Sequence, residues 1–239
     1  MKVIAHRGSN RKAPENSMKA FEVAIFEGAS RIELDLQLSR DGAIFINHDD
    51  SLSHTTGNKG SISKMTASEL AGVSLRNLES LPRLEQVLEL LPQIELNLEL
   101  KGANLALVEA LVARVADHPE LPRILVSSFE EKMMVHLKKI MPSVARAFLW
   151  ENALPQMKFF DRIKRSMDRI ETSIFHPDCS LIDETFMDFV KQNRWTTYTW
   201  APLKADIPNE RWPVLKQLGV DGHCTNFPLE FKLWNEEQK

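Results

Sequence analysis

The 239-residue sequence has only two cysteines, Cys179 and Cys224, far apart and with no CxxC pair. That argues against a disulfide framework and for a reducing compartment. It has no uncharged apolar run near the roughly 18 residues that a membrane span needs. It has no excess of basic charge: 30 Lys and Arg stand against 33 Asp and Glu, a formal charge of −3. A bulk nucleic-acid binder needs a basic footprint, so that class is set aside. The opening Met1-Lys2-Val3-Ile4-Ala5-His6 lacks the apolar core of a signal peptide, and the expectation is a cytoplasmic protein with no membrane span. Internal repeats and low-complexity tracts are absent as well. What remains is ordinary globular composition, 43% hydrophobic and 26% charged. A chain this long buries roughly 70–75% of its unfolded surface and needs no staples.

Short apolar or β-branched runs alternate with helical patterns. Strands are expected at 2–5, 31–36, 43–47, 94–100, 124–127, 145–149, 172–175, 196–200 and 220–224. Between 82 and 91, Leu84, Val87, Leu88 and Leu91 recur at i, i+3, i+4, i+7, with Pro82 suiting the first turn and Pro92 the stop. The stretch 104–117 repeats the pattern, and 17–27 reads as a third helix with Asn16 as N-cap and Gly28 just past its end. Strands and helices alternating at this density imply parallel βα units, about eight of them, the size of a (β/α)8 TIM barrel. The polar stretch 43–78 breaks the rhythm. It reads as a small insertion after the second strand within one domain spanning 1–239.

Three features carry chemistry. In Glu33-Leu34-Asp35 the two carboxylates share one face of a strand. Burying such a pair is costly, and a hard cation such as Mg²⁺ or Ca²⁺ is one remedy, while salt-bridged acids on an exposed strand are the plain alternative. In residues 94–101 the alternation is strict, with Ile94, Leu96, Leu98 and Leu100 on one face and Glu95, Asn97, Glu99 and Lys101 on the other. Barrel interiors are normally apolar, so a polar inner face should line a site, with Glu99 a further oxygen ligand and Lys101 a counter-charge for an anion. An edge strand would explain the same pattern without a site. Third, His6 ends the first strand and His48 follows the strand at 43–47, which puts both at the C-terminal rim of a barrel, where two imidazoles can divide acid and base work. Arg7 presents a fork suited to phosphate, and Gly8 permits close backbone approach, although a salt bridge to Glu15 and a simple turn would also account for them. His54, His118 and His136 are assigned no chemistry, and His176 is a weak candidate for the rim.

The ordered set His6-Arg7-Gly8, Pro14-Glu15-Asn16-Ser17, Glu33-Leu34-Asp35, Asp41-Gly42, His48-Asp49, Asn97-Leu98-Glu99-Leu100-Lys101, Ser127-Ser128-Phe129, Trp200 and Thr225-Asn226-Phe227-Pro228 resembles the glycerophosphodiester phosphodiesterase family, in its short, cytoplasmic bacterial form. The resemblance runs through nearly the whole chain. It implies a barrel with a small insertion, one divalent cation held by Glu33, Asp35 and Glu99, and His6 and His48 as the acid/base pair. It implies Arg7 and Lys101 as phosphate-binding residues, with Glu15, Asn16 and Trp200 in support. The implied reaction converts a small-molecule glycerophosphodiester and water to sn-glycerol 3-phosphate and an alcohol. Ser17, His54, Ala201 and Asn226 depart from the family's usual residues. The rivals are a phospholipase acting on inositol or sphingoid head groups, and a barrel that binds a phosphorylated metabolite without turning it over.

Overall fold

The structure, a computed structural model, describes residues 1–90, 92–151, 156–202 and 206–238, with backbone only at 156–158. The period-two pattern of residues 95–100 sets the architecture. Leu96, Leu98 and Leu100 are at most 1% exposed and pack outward against helices, so Glu95, Asn97 and Glu99 are driven inward. The same holds on the neighbouring strand, where Ile32, Leu34 and Leu36 join the outer core.

Strands β1 (Lys2–His6), β2 (Arg31–Leu38), β4 (Glu95–Leu100), β5 (Ile124–Ser128), β6 (Ala145–Trp150), β7 (Ile174–Pro177), β8 (Thr196–Trp200) and β9 (Gly222–Thr225) pair in parallel. Pairing of β1 with both β9 and β2 closes the sheet into an eight-stranded barrel. The short β3 (Ile44–Ile46) runs antiparallel along the end of β2. Helices α1 (Met18–Phe26), α5 (Leu105–Val115), α6 (Glu131–Ile140), α7 (Gln156–Ile170), α8 (Glu184–Gln192) and α9 (Trp212–Leu218) connect consecutive strands, and α10 (Pro228–Glu237) ends the chain. The chain is a TIM barrel with an insertion after the second strand. The short helices α2 (Ser53–Thr56) and α3 (Ala67–Leu70) lie in that insertion, where Phe45, Leu52, Ile62, Leu70 and Leu75 form an apolar cluster of their own.

Three local expectations shift. The helix expected over 82–91 is the shorter α4 (Leu84–Leu88), because the chain first pairs with β3: the Pro82 carbonyl accepts from the Ile46 amide at 2.9 Å, and Arg83 bridges Phe45 in extended backbone. Leu91 lies outside the described residues. The N-cap of α1 is Ser17, which accepts from the Ala20 amide at 3.0 Å, whereas Asn16 adopts φ +57° and turns to the barrel. The strand expected over 172–175 lies two residues later, at Ile174–Pro177, and so contains His176.

Candidate active site

Strand register assembles the acids. His6 is level with Glu33, and Asp35 is level with Glu99. One carboxylate oxygen from each of Glu33, Asp35 and Glu99 falls within 4.8 Å of the others. The three residues are 3%, 1% and 8% exposed, so the barrel-interior placement wins over the exposed-strand alternative. Asn16, freed from capping, donates to Asp35 Oδ2 at 2.7 Å and orients it. Glu33 Oε1 and Asp35 Oδ1 are buried without a hydrogen bond, which is costly for a carboxylate.

Electrostatics show the same surplus. Burial, followed by Asp35 and Glu99, pushes the Glu33 carboxyl well above the usual range. Burial raises Glu99 to about 7, with Asp35 adding to the rise and Lys101 opposing it. Burial acts on Asp35 in the same sense, but Arg7 and Lys101 outweigh it and hold the carboxyl at about 2. Counting Glu15, the cluster holds four acids against Arg7 and Lys101, a formal charge of −2. An all-oxygen, acid-rich pocket with two unbonded carboxylate oxygens fits a divalent hard cation.

Both cations are engaged by these acids. Arg7 Nη1 donates to Glu15 Oε1 at 2.9 Å, its Nε lies 3.2 Å from Asp35 Oδ2, and its amide donates to Glu33 Oε2 at 3.1 Å. Its φ of +56° is unusual for a non-glycine residue and is held by those contacts. Lys101 Nζ donates to Glu99 Oε1 at 2.7 Å and lies 3.5 Å from Asp35 Oδ1. Gly8 serves packing, since a Cβ there would lie 2.7 Å from the Ala20 backbone.

The two histidines differ. The His6 ring is largely buried, with Nε2 3.9 Å from Glu33 Oε2. Burial, reinforced by Arg7, lowers its pKa to about 4. Its Nδ1 is 2.9 Å from Asn226 Oδ1, and Asn10 Nδ2 donates to that same oxygen at 2.6 Å and to the His6 carbonyl at 2.8 Å. An oxygen that accepts from Asn10 also accepts from the ring, so neutral His6 carries its proton on Nδ1 and presents the Nε2 lone pair. Asp206 anchors this arrangement by accepting from the Asn226 amide and from Thr225 Oγ1. His48 is delivered by the segment after β3, where Gln37 Nε2 donates to its carbonyl at 2.8 Å. Its side chain is 34% exposed, and its Nδ1 is 2.8 Å from Asp49 Oδ1.

His6, Arg7, Glu33, His48, Glu99 and Lys101 line one cavity of about 480 Å³ at the C-terminal mouth. Its far wall contains Phe129 and Trp200, whose rings meet edge to face at 5.6 Å, with Leu149 beside them. His176 also reaches it, 1% exposed and with its pKa lowered by burial to about 3. Sequence reasoning missed Asn10 as a partner of residue 226, and left His176 weak because its strand was placed two residues early. The inward alternation of Ile174 and His176 was the available signal. His54 lies outside this cavity, 3.9 Å from Glu15.

Comparison with known proteins agrees with this geometry. The sequence model described as "Glycerophosphoryl diester phosphodiesterase family" matches residues 6–230. The chain is similar to a glycerophosphodiester phosphodiesterase of Bacillus altitudinis, 31% identical over 100% of this chain and 99% of that one. One from Caldanaerobacter subterraneus subsp. tengcongensis is 28% identical over 95% and 94%. Among solved structures, a phosphodiesterase of Oleispira antarctica in complex with the product sn-glycerol-3-phosphate superposes with a TM-score of 0.87 at 26% identity, covering 99% of this chain and 97% of that one.

Proposed function

The chain belongs to the glycerophosphoryl diester phosphodiesterase family, and from that premise we propose that it hydrolyses glycerophosphodiesters to sn-glycerol 3-phosphate and an alcohol with a divalent cation and two histidines. It is an enzyme, a glycerophosphodiester phosphodiesterase. The observation that carries the finer reading is a cluster of three buried carboxylates, Glu33, Asp35 and Glu99, two of which share one cavity with the His6 and His48 imidazoles.

Glu33, Asp35 and Glu99 would hold the cation, Mg²⁺ or Ca²⁺. When bound it supplies Lewis-acid polarisation of a phosphoryl oxygen and a template for the substrate. The protein's own residues supply the rest. A phosphodiester carries one negative charge and a poor alkoxide leaving group, so a proton must leave the nucleophile and another must reach the leaving oxygen. His6 exchanges its proton at Nε2, because Nδ1 is committed to Asn226. His48, more open and backed by the Asp49 carboxylate, serves the opposite side of the transfer. Such proton transfers each contribute roughly 10²–10⁴-fold. Arg7 and Lys101 put fixed positive charge beside the reacting phosphate in a partly dry site. Asn16 and Glu15 hold Asp35 and Arg7 in place, and Trp200 shapes the wall.

The protein is read as cytoplasmic, on the strength of two free buried cysteines. No described helix is long and apolar enough to cross a membrane. The direct test is a panel of glycerophosphodiesters assayed for glycerol 3-phosphate release, with Mg²⁺ and Ca²⁺ in parallel. Release that depends on the added cation is expected. No turnover of any member with either ion would end the reading.

A further inference from the structure

A second cleft of about 470 Å³ lies beside the catalytic cavity, between the loops that follow β1 and β9 and the insertion after β2. Two bonded pairs form the wall between the two cavities. Arg7 and His6 face the first cavity, and their partners Glu15 and Asn226 face the second. A substituent on the scissile phosphate therefore needs only to pass over that wall to enter the second cleft.

The charge of the cleft is distinctive. Its lining includes Arg11 and Arg76, both exposed. Among the described residues neither has a carboxylate within ion-pair distance, whereas the cations of the first cavity, Arg7 and Lys101, do. The cleft's one acid, Glu15, is already matched by Arg7 at 2.9 Å. Both guanidinium groups are nonetheless held in place. Arg11 lies over the Phe227 ring at 5.4 Å, and Arg76 donates from Nε to the His54 carbonyl at 3.0 Å and from Nη2 to the Ser53 carbonyl at 3.4 Å. Two guanidinium groups without a carboxylate partner thus line one cleft, and their remaining N–H groups are available to an anionic oxygen.

We propose that this second cleft receives the alcohol portion of the substrate and selects alcohols that carry an anionic oxygen group, a carboxylate or phosphate, over cationic ones. The inference rests on the phosphodiesterase reading and deepens it by naming a substrate class. Because the two arginines sit at an exposed rim, the selectivity is salt-sensitive and moderate, about 3–10-fold.

The test uses glycerophosphoserine and glycerophosphoethanolamine, which differ by one carboxylate. The wild-type protein at low salt is expected to favour the serine ester at least about threefold in kcat/KM, and the preference collapses in about 0.5 M NaCl. In the double variant Arg11→Gln, Arg76→Gln the ratio falls to about one, because the serine ester loses the advantage that the two guanidinium groups give it over the ethanolamine ester. The salt series needs no variant, so the proposal stays testable if the double substitution fails to fold. A wild-type ratio at or below one, a salt-insensitive ratio, or an unchanged ratio in the variant overturns the proposal and leaves the phosphodiesterase reading standing. Hydrolysis of neither ester overturns both.

Discussion

Strands β1, β2 and β4 carry charged residues inward at both ends of the barrel, and the two ends solve the problem of buried charge differently. At the N-terminal end Glu95 Oε2 accepts from Lys2 Nζ at 2.7 Å and from Arg31 Nη2 at 2.6 Å. One acid meets two cations, and although burial works the other way, these partners pull the Glu95 carboxyl below its usual range. At the C-terminal end the same three strands supply His6, Glu33, Asp35 and Glu99, and the acids outnumber their partners. Glu33 and Glu99 are driven upward there. An acid matched by two cations stays ionised without further help, whereas an acid cluster left short of positive charge is the place where an added cation fits.

Chelation should separate the two ends most sharply. EDTA is expected to reduce glycerophosphodiester turnover to background, and Mg²⁺ or Ca²⁺ to restore it. Glu99→Gln should imitate chelation, while Glu95→Gln stays within about twofold of wild type, the reach of a charge distant from the reacting atoms. Full activity after exhaustive chelation, or equal damage from the two substitutions, would erase the distinction.

The histidines give the next largest effect. His6→Ala and His48→Ala should each lower kcat by about 10²–10⁴-fold with the thermal transition preserved, whereas Lys2→Met, at the other end of β1, should leave kcat nearly unchanged. Near wild-type turnover in both histidine variants would remove the acid/base pair. A smaller effect tests the support of His6. Asn226→Leu should lower kcat about tenfold at unchanged KM, as a misplaced tautomer would, while Asn226→Asp keeps the acceptor and most of the rate. Imidazole ¹⁵N spectra should show His6 protonated at Nδ1 in the wild type and a tautomer mixture in Asn226→Leu.

Stability against pH should have opposite slopes at the two ends. In cation-free protein Glu99 titrates near 7 when folded and near 4.5 when unfolded. The folded state holds that proton more tightly, so its contribution to stability falls as pH rises from about 4.5 to 7. Relative to Glu99→Gln, the wild type should lose melting temperature across that window, and a divalent cation should flatten the loss. Glu95 has the reverse sign, because its folded pKa lies below its unfolded one. Its contribution is present above the unfolded carboxylate pKa and fades as pH falls through the folded one, and at a third exposed it is worth less than about 1 kcal/mol. Parallel pH–melting curves for wild type and Glu99→Gln would break the contrast.

Much of this was legible in the chain itself. Strict alternation put Glu33 with Asp35, and Glu95, Asn97 and Glu99 together, because side chains on a strand take turns between its two faces. The positions of His6 and His48 after short apolar runs put both at the rim. Local capping was less readable. Asn16 and Ser17 are both good N-caps, and only the approach of Asp35, 19 residues away, decides which one caps and which one bonds to Asp35. Pro82 is likewise claimed by the neighbouring β3 before α4 begins.

The sequence alone determined the alternation, the barrel-sized count of units and the residue types available for acid, base and cation chemistry, because these follow from local periodicity and side-chain chemistry. Tertiary structure alone decided the pairings across the closed barrel: the level of His6 with Glu33, the bond from His6 to residue 226, and the cleft with two unmatched arginines. Closure brings the first and last strands together, and no local pattern encodes a contact over 220 residues.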